Sequence, residues 1–159
     1  MAETTARPVA DLILSSAHKR GIEVTNLKLQ KLLYYCQAWH LAVLDKPLFP
    51  ERIEAWIHGP VVPPVFGDFK HYRWNPIDWN PPDVTIGVGD PRWPISECVE
   101  EVMHAYGEFS GPQLEAMTHQ EDPWKEARKG IPSDIPSTAV ISHEAMIRFY
   151  RPRLAGASN

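Results

Sequence analysis

Two residues of this chain could together hold a metal ion. Cys36 and His40 lie four positions apart, a spacing that puts both side chains on one face of a helix and that zinc ligands use. A zinc site needs further ligands, but no CxxC, HxxxH or HExxH pattern accompanies the pair. The pattern therefore favours a buried thiol beside a hydrogen-bonded histidine, without metal or cofactor. We expect His40 to bond a neighbouring backbone carbonyl or Glu54.

Three polar residues could form a hydrolytic site if the fold brought them together. They are His58, His119 and Asp122, and a histidine oriented by a carboxylate is a common general base. The usual nucleophile motif does not accompany them, because in GEFSG at positions 107–111 the serine stands one position too late for a GxSxG elbow. We therefore expect a protein that is not an enzyme, and we keep a small hydrolase built on these three residues as the alternative.

Tryptophans provide the best candidate for a binding surface. Trp74, Trp79 and Trp93 fall within the irregular segment 73–94, which also carries five prolines. A rigid aromatic ring buries a large area at low entropic cost, so tryptophans in loops are favoured at protein interfaces. The alternative is that these rings pin a long loop onto the domain. We predict a partner-binding surface that includes the three side chains.

Charge and hydropathy argue against some classes of protein. The formal net charge of −4 is unlike the basic excess of a general nucleic-acid binder. No apolar run approaches the ~20 residues that cross a bilayer, and the first residues lack a signal-peptide pattern. We expect a cytoplasmic protein with reduced thiols and no membrane partner. Two basic clusters could contact nucleic acid if they met in space: Lys125, Arg128 and Lys129, and Arg148, Arg151 and Arg153.

A central helix is predicted over Asn26–Leu44, with Thr25 as its N-cap. Apolar residues recur at spacings of three and four and also cover the opposite side, so the helix should be enclosed by the rest of the domain. Residues 53–57 alternate and predict a short strand. The sequence HGP at 58–60 then reverses the chain before a helix that ends near Tyr72.

The remaining pattern predicts a mainly α (α+β) fold. We expect one compact domain over 1–159, with its core at about 8–153, made of five or six helices around a central apolar helix and a small sheet of short strands. Residues 1–7 look like a loose leader, and Pro152 should help to stop the last helix. The other predicted elements are helices from Pro8 to Gly21, at 95–106, at 110–119, from Asp122 as an N-cap and from Ser142 as an N-cap, with strands at 84–88 and 139–141.

Two blocks of the sequence resemble the SocA-like antitoxins, also called the Panacea domain family and once grouped with phage-associated GepA proteins. The first block consists of LKLQKLLYYCQAWHLA, then PLF, then IEAWIHGPVVPPVF. The second is LEAMTHQEDPWKEAR, from Leu114 to Arg128. The two blocks stand in the family's order, and the resemblance covers most of residues 10–150.

This resemblance implies a non-enzymatic protein that binds and neutralises a cognate toxin. Some relatives deliver the toxin to a Clp-type protease and others occlude it, and both modes stay open here. His58 and His119 are the polar centres of the two blocks. They either satisfy loop amides or belong to the toxin-binding surface, so we include both among the candidate partner-binding residues. A phage-linked, nucleic-acid-binding regulator that uses the basic clusters is the remaining alternative, and its binding would fall steeply with salt.

Overall fold

The structure is a computed structural model that describes residues 2–157. Its central helix begins and ends at the residues that the sequence predicts. Helix α2 runs from Asn26 to Leu44. The Thr25 hydroxyl accepts a hydrogen bond from the Lys28 amide at 3.2 Å and caps the helix. Asp45 ends it in the left-handed conformation, with φ of 62°. The helix buries side chains on all sides, as its apolar circumference requires.

Six further α-helices and one hairpin surround α2 within residues 2–157. Helices α1, α3, α4, α5 and α7 each contact α2, while α6 packs on α5 and α7. The mainly helical class with a small sheet is confirmed, with seven α-helices where five or six were expected. The elements are α1 (Ala6–Arg20), α2, β1 (Glu54–Trp56), β2 (Gly59–Val61), α3 (Pro63–Phe69) followed by a 3-10 turn (Lys70–Tyr72), α4 (Ile95–Tyr106), α5 (Gly111–His119), α6 (Asp122–Ala127) and α7 (His143–Ala157).

Polar side chains of α2 are buried and hydrogen-bonded to the backbone of neighbouring loops. The Gln37 side-chain carbonyl accepts from the amides of Leu48 (2.7 Å) and Phe49 (3.3 Å), and its amide group donates to the Phe49 carbonyl (2.8 Å). The His40 ring bonds the backbone carbonyl of Lys46 at 2.7 Å, which confirms the first of its two expected partners. Each such bond fixes a loop at a defined height along the helix.

The hairpin is the only regular sheet among residues 2–157. Strands β1 and β2 are antiparallel, and their register pairs Glu54 with Val61 and Trp56 with Gly59. On the other side of β1, Val140 forms a single bridge with Glu54, so the strand predicted at 139–141 shrinks to one pair. The strand predicted at 84–88 is wrong, because this segment pairs with no strand of the described residues. Its backbone bonds the rest of the protein at Val88, whose carbonyl accepts from the Ile95 amide.

The first residues are not a loose leader. The amides of Glu3 and Thr4 donate to the Leu48 carbonyl at 3.1 and 3.0 Å, and the Ala6 amide donates to the Glu51 carboxylate at 3.1 Å. Helix α1 therefore begins at Ala6, two residues before Pro8, and the Ala6 side chain is fully buried. Local patterns did not indicate these bonds, because their partners lie more than 40 positions away.

Two helix boundaries near the carboxyl end also differ from their predictions. The N-cap of α6 is Glu121 rather than Asp122, which is the first residue of the helix. Helix α7 does not stop at Pro152 and continues to Ala157. A proline already has a helical φ angle, and its cost is mainly one missing amide donor and crowding of the preceding turn. Only one further turn follows Pro152, so that cost falls near the end of the helix.

The Gln37 hydrogen bonds should be required for stability. Replacing Gln37 with methionine keeps the shape of the side chain but leaves three buried backbone groups without partners, so the free energy of unfolding should fall by about 3 kcal/mol. Chemical denaturation monitored by tryptophan fluorescence measures the change. The matched control is Gln120→Met, because Gln120 is exposed at the end of α5. Equal stabilities of the two variants would contradict the prediction.

Candidate partner-binding site

The two sequence blocks meet at the hairpin. The Trp124 indole, on α6, donates to the Trp56 carbonyl at 2.8 Å. The guanidinium of Arg128, which is buried, donates to the Ala55 carbonyl at 2.9 Å. On the exposed side, the His58 ring bonds the Glu115 carboxylate of α5 at 3.1 Å. Residues separated by 57 to 73 positions therefore pack together around β1 and β2.

The turn of the hairpin lies directly on a buried lysine. Gly59 has φ of +105°, a conformation that favours glycine. A Cβ at Gly59 would stand 2.6 Å from the Lys31 Cε atom. Lys31 is fully buried on α2, and its ammonium group donates to the Pro60 carbonyl at 3.1 Å. Glycine is thus required by both the backbone angle and the close approach of the lysine side chain.

An open cavity of about 820 Å³ lies beside this hairpin, between α2, α3 and α5. The rings of Trp56 and Phe66 pack edge to face with centroids 5.0 Å apart and form part of its apolar wall. Leu27, Ile57, Val61, Pro112 and Pro136 complete the apolar lining. The cavity is bordered by polar or exposed side chains: His58, Lys70, Arg73, Trp74, Glu115 and Thr138.

The electrostatics of the cavity are dominated by cations. Burial lowers the pKa of Lys31 to about 7, and the nearby carboxylate of Glu115 opposes this shift. Lys70 and Arg73 have exposed side chains. Neither forms an ion pair with any residue in 2–157. Asp68, which is close to both in sequence, is already paired with Arg7.

The predicted partner-binding residues do not form one cluster. Trp74 and His58 both border the large cavity, with 88% of Trp74 and 70% of the His58 side chain exposed. Trp93 borders a second cavity of about 320 Å³, together with Trp39 and Tyr106. Trp79 is 42% exposed and lines neither cavity. His119 stacks on Trp124 at 4.0 Å between ring centroids and lines neither cavity as well.

The residues of the alternative hydrolytic site have separate partners. His58 bonds Glu115, His119 packs on Trp124, and Asp122 pairs with Lys125 at 3.7 Å. No hydrogen bond in residues 2–157 joins any two members of this trio. Over the same residues, no group of three or more histidine, cysteine or acidic side chains is arranged to hold a metal ion.

Most of the basic clusters are engaged within the protein. Arg128 donates to three backbone carbonyls, those of Ala55, Pro132 and Ile135. Arg148 pairs with Glu126 and Arg151 with Asp45, each at 2.8 Å. These side chains tie α7 and the 130–136 loop to their neighbours.

Sequence reasoning missed the cationic residues of the cavity. Lys31 is one of two lysines, with Lys28, in a helix that is otherwise largely apolar, and this mismatch was the available signal. Lys70 and Arg73 gave no signal, because exposed lysines and arginines are common on any surface. Only the fold shows that both stand beside an apolar opening.

The fold and the site together define a mainly helical domain with a small hairpin, in which an open apolar cavity has an exposed tryptophan at its rim. Antitoxin SocA of Caulobacter vibrioides (strain NA1000 / CB15N) is 36% identical to this chain over 129 residues, which are 75% of this chain and 68% of that protein. The model of the SocA-like antitoxin family, Panacea domain, matches residues 29–83. The chain belongs to this family.

The comparison with solved structures gave no match. Within the part of the chain that the structure describes, no helix has the length and apolar character needed to cross a membrane.

A methyl group at Gly59 should distort the hairpin. Gly59→Ala forces a side chain into an unfavourable φ region and against Lys31, so the free energy of unfolding should fall by about 2–3 kcal/mol. The control is Gly67→Ala, which lies in α3 with open space around it. That change should raise the free energy of unfolding by up to about 1 kcal/mol. Thermal denaturation compares the two variants. If Gly59→Ala leaves the free energy of unfolding unchanged, the hairpin is not held against Lys31.

Lys31 should make the stability depend on pH. The unfolded chain keeps the ordinary lysine pKa of 10.5, so between pH 7 and 10.5 it binds more protons than the folded chain. The free energy of unfolding should therefore rise with pH, relative to a Lys31→Met variant, by up to about 1.4 kcal/mol per pH unit. Urea denaturation at several pH values measures the difference.

Lys19→Met provides the control for that experiment, because Lys19 is exposed at the end of α1. Its stability should follow that of the unmodified protein across the same pH range. If the free energy of unfolding of Lys31→Met also changes with pH as that of the unmodified protein does, the Lys31 pKa is not lowered in the folded state.

Proposed function

We propose that this protein is an antitoxin that neutralises a cognate toxin by binding it directly, through the cavity bordered by Trp74 and His58. One observation carries the proposal: an apolar cavity of about 820 Å³ opens to solvent at a rim where Trp74 is 88% exposed. An indole that is left in water beside an apolar opening gains free energy when a partner covers it.

The construction of the site supports a preformed binding surface. The hairpin is fixed from below by Lys31 and from the side by Trp124 and Arg128. A surface held in this way loses little conformational entropy when a partner docks, which favours affinity. The relative from Caulobacter vibrioides is named an antitoxin, which agrees with this role.

Two modes of neutralisation begin with the same complex. In the first, the bound antitoxin occludes the working surface of the toxin. In the second, the complex is delivered to a Clp-type protease and the toxin is degraded. Direct binding is the step that both modes require, so the proposed site serves either one, and the fate of the toxin distinguishes them.

Co-expression with the product of the adjacent gene tests the role itself. Growth arrest by that product alone, relieved by this protein together with a co-purifying complex, is the expected result. Relief accompanied by disappearance of the neighbour, without a stable complex, would indicate the protease mode. A neighbour that is harmless when expressed alone would contradict its assignment as the toxin and remove the support for the antitoxin role.

Trp74→Ala tests the site. Loss of a central aromatic contact typically costs 2 kcal/mol or more, so the affinity for the adjacent-gene product should fall about 30-fold or more. The melting temperature should stay within about 2 °C of the unmodified protein, because the ring is mostly solvated. Biolayer interferometry and differential scanning fluorimetry provide the two readouts.

Two matched tryptophan variants serve as controls for that test. Trp79→Ala removes a ring from the same segment but away from both cavities, and it should retain affinity. Trp93→Ala removes a ring from the second cavity. If Trp93→Ala abolishes binding while Trp74→Ala does not, the partner docks at the second cavity and the proposed site is wrong.

A further inference from the structure

We propose that the large cavity takes an acidic, apolar-rich segment of the toxin, whose apolar side chains enter the cavity while a carboxylate pairs with Lys70 or Arg73 at the rim. This inference rests on the proposed function and names the chemistry of the partner that the same site accepts.

The apolar part of the inference comes from the lining and the volume. Trp56, Phe66 and Val61 line the interior with rings and methyl groups. The volume of about 820 Å³ is several times that of one side chain. A segment that presents two or three neighbouring apolar side chains fits such a groove, as when an amphipathic helix docks through residues spaced three and four apart.

The acidic part comes from two cations that have no partner within residues 2–157. Lys70, Arg73 and Trp74 all line this cavity, and all three are exposed. Elsewhere on the described surface many cations are paired with carboxylates, for example Arg20 with Glu100 and Arg148 with Glu126.

A segment with a carboxylate beside its apolar residues complements this rim. Charged groups at the edge of an interface steer the encounter and set its salt dependence, while the apolar interior supplies most of the affinity. The net charge of −4 disfavours acidic partners at most of the surface. At the rim, Lys70 and Arg73 stand against one carboxylate among the described residues, that of Glu115, which His58 already bonds. The two cations, which are free of ion pairs within residues 2–157, therefore direct such a segment to this cavity.

Charge reversal at the rim tests the acidic component. Binding of the purified adjacent-gene product is measured for Arg73→Glu and Lys70→Glu, with Lys19→Glu as a control of the same charge change at an exposed position that lines neither cavity. We expect each rim variant to weaken binding about tenfold or more and to reduce its salt dependence, while Lys19→Glu stays within about twofold. Unchanged or tighter binding by both rim variants would overturn the acidic assignment.

Filling the cavity tests the apolar component. Thr138 has an exposed side chain that borders the cavity, so Thr138→Trp should occupy the space that the segment needs. We expect binding to weaken tenfold or more, with the melting temperature unchanged. Thr85→Trp adds the same ring to an exposed position outside both cavities and should bind normally. Normal binding by Thr138→Trp would overturn insertion into the cavity.

Other occupants give different results. A dimer of the protein alone in light scattering, lost in Trp74→Ala, would identify a second copy as the occupant and overturn the inference. A stoichiometric small molecule in native mass spectra of the purified protein, lost in Thr138→Trp, would do the same.

A complex that forms with full affinity in every rim and cavity variant leaves the antitoxin role intact and overturns only this inference. If the adjacent-gene product neither arrests growth nor forms a complex, both proposals fail.

Discussion

The buried polar side chains of α2 determine where the rest of the structure can lie. A polar group removed from water without a hydrogen-bond partner costs about 1–3 kcal/mol, so each one must meet a donor or acceptor at a fixed position. Asn26 donates to the Phe66 carbonyl, Gln30 accepts from the Val62 amide, and Lys31 donates to the Pro60 carbonyl. Three side chains on adjacent turns thus hold β2 and α3 at one end of the helix.

The candidate site is a consequence of this arrangement. The side chains of β2 and of Val65 and Phe69 in α3 are buried against the core, whereas Trp56 of β1 and Phe66 of α3 are only half-buried. Trp56 and Phe66 then form an apolar wall beside the chain reversal at Gly59. The second sequence block closes the other side through Trp124 and Arg128. The cavity is therefore built mainly from residues whose separate roles are structural, whereas at its rim Trp74 is 88% exposed and Lys70 and Arg73 form no ion pair within residues 2–157.

Much of the fold could be predicted from the sequence, because its helices carry local signals. The cap at Thr25 forms as expected, and the helix predicted at 110–119 begins with a capping box between Ser110 and Gln113, since each depends on residues only three positions apart. The errors fall where distant contacts decide the structure. Glu3 and Thr4 are held by Leu48, and segment 84–88 alternates without forming a strand because no neighbouring strand is present to pair with it.

The site was predictable only in part for the same reason. Trp74 and His58 could be singled out by residue type, and the structure brings them to one cavity. Their separation from Trp93 could not be foreseen, because segment 73–94 is positioned by long-range bonds such as that from the Ile77 amide to the Val24 carbonyl. The burial of Lys31 at the base of the hairpin could not be predicted from the sequence, because the carbonyl that its ammonium group bonds, that of Pro60, lies 29 positions away.

Hydrogen–deuterium exchange of the intact protein, with and without the purified product of the adjacent gene, would test the central claim most directly. If the toxin docks at the large cavity, exchange should slow in residues 56–74 and 112–115 and stay unchanged in residues 39–43 and 92–106 at the second cavity. Protection confined to the second cavity, or spread over α1 alone, would contradict the assignment of the binding site.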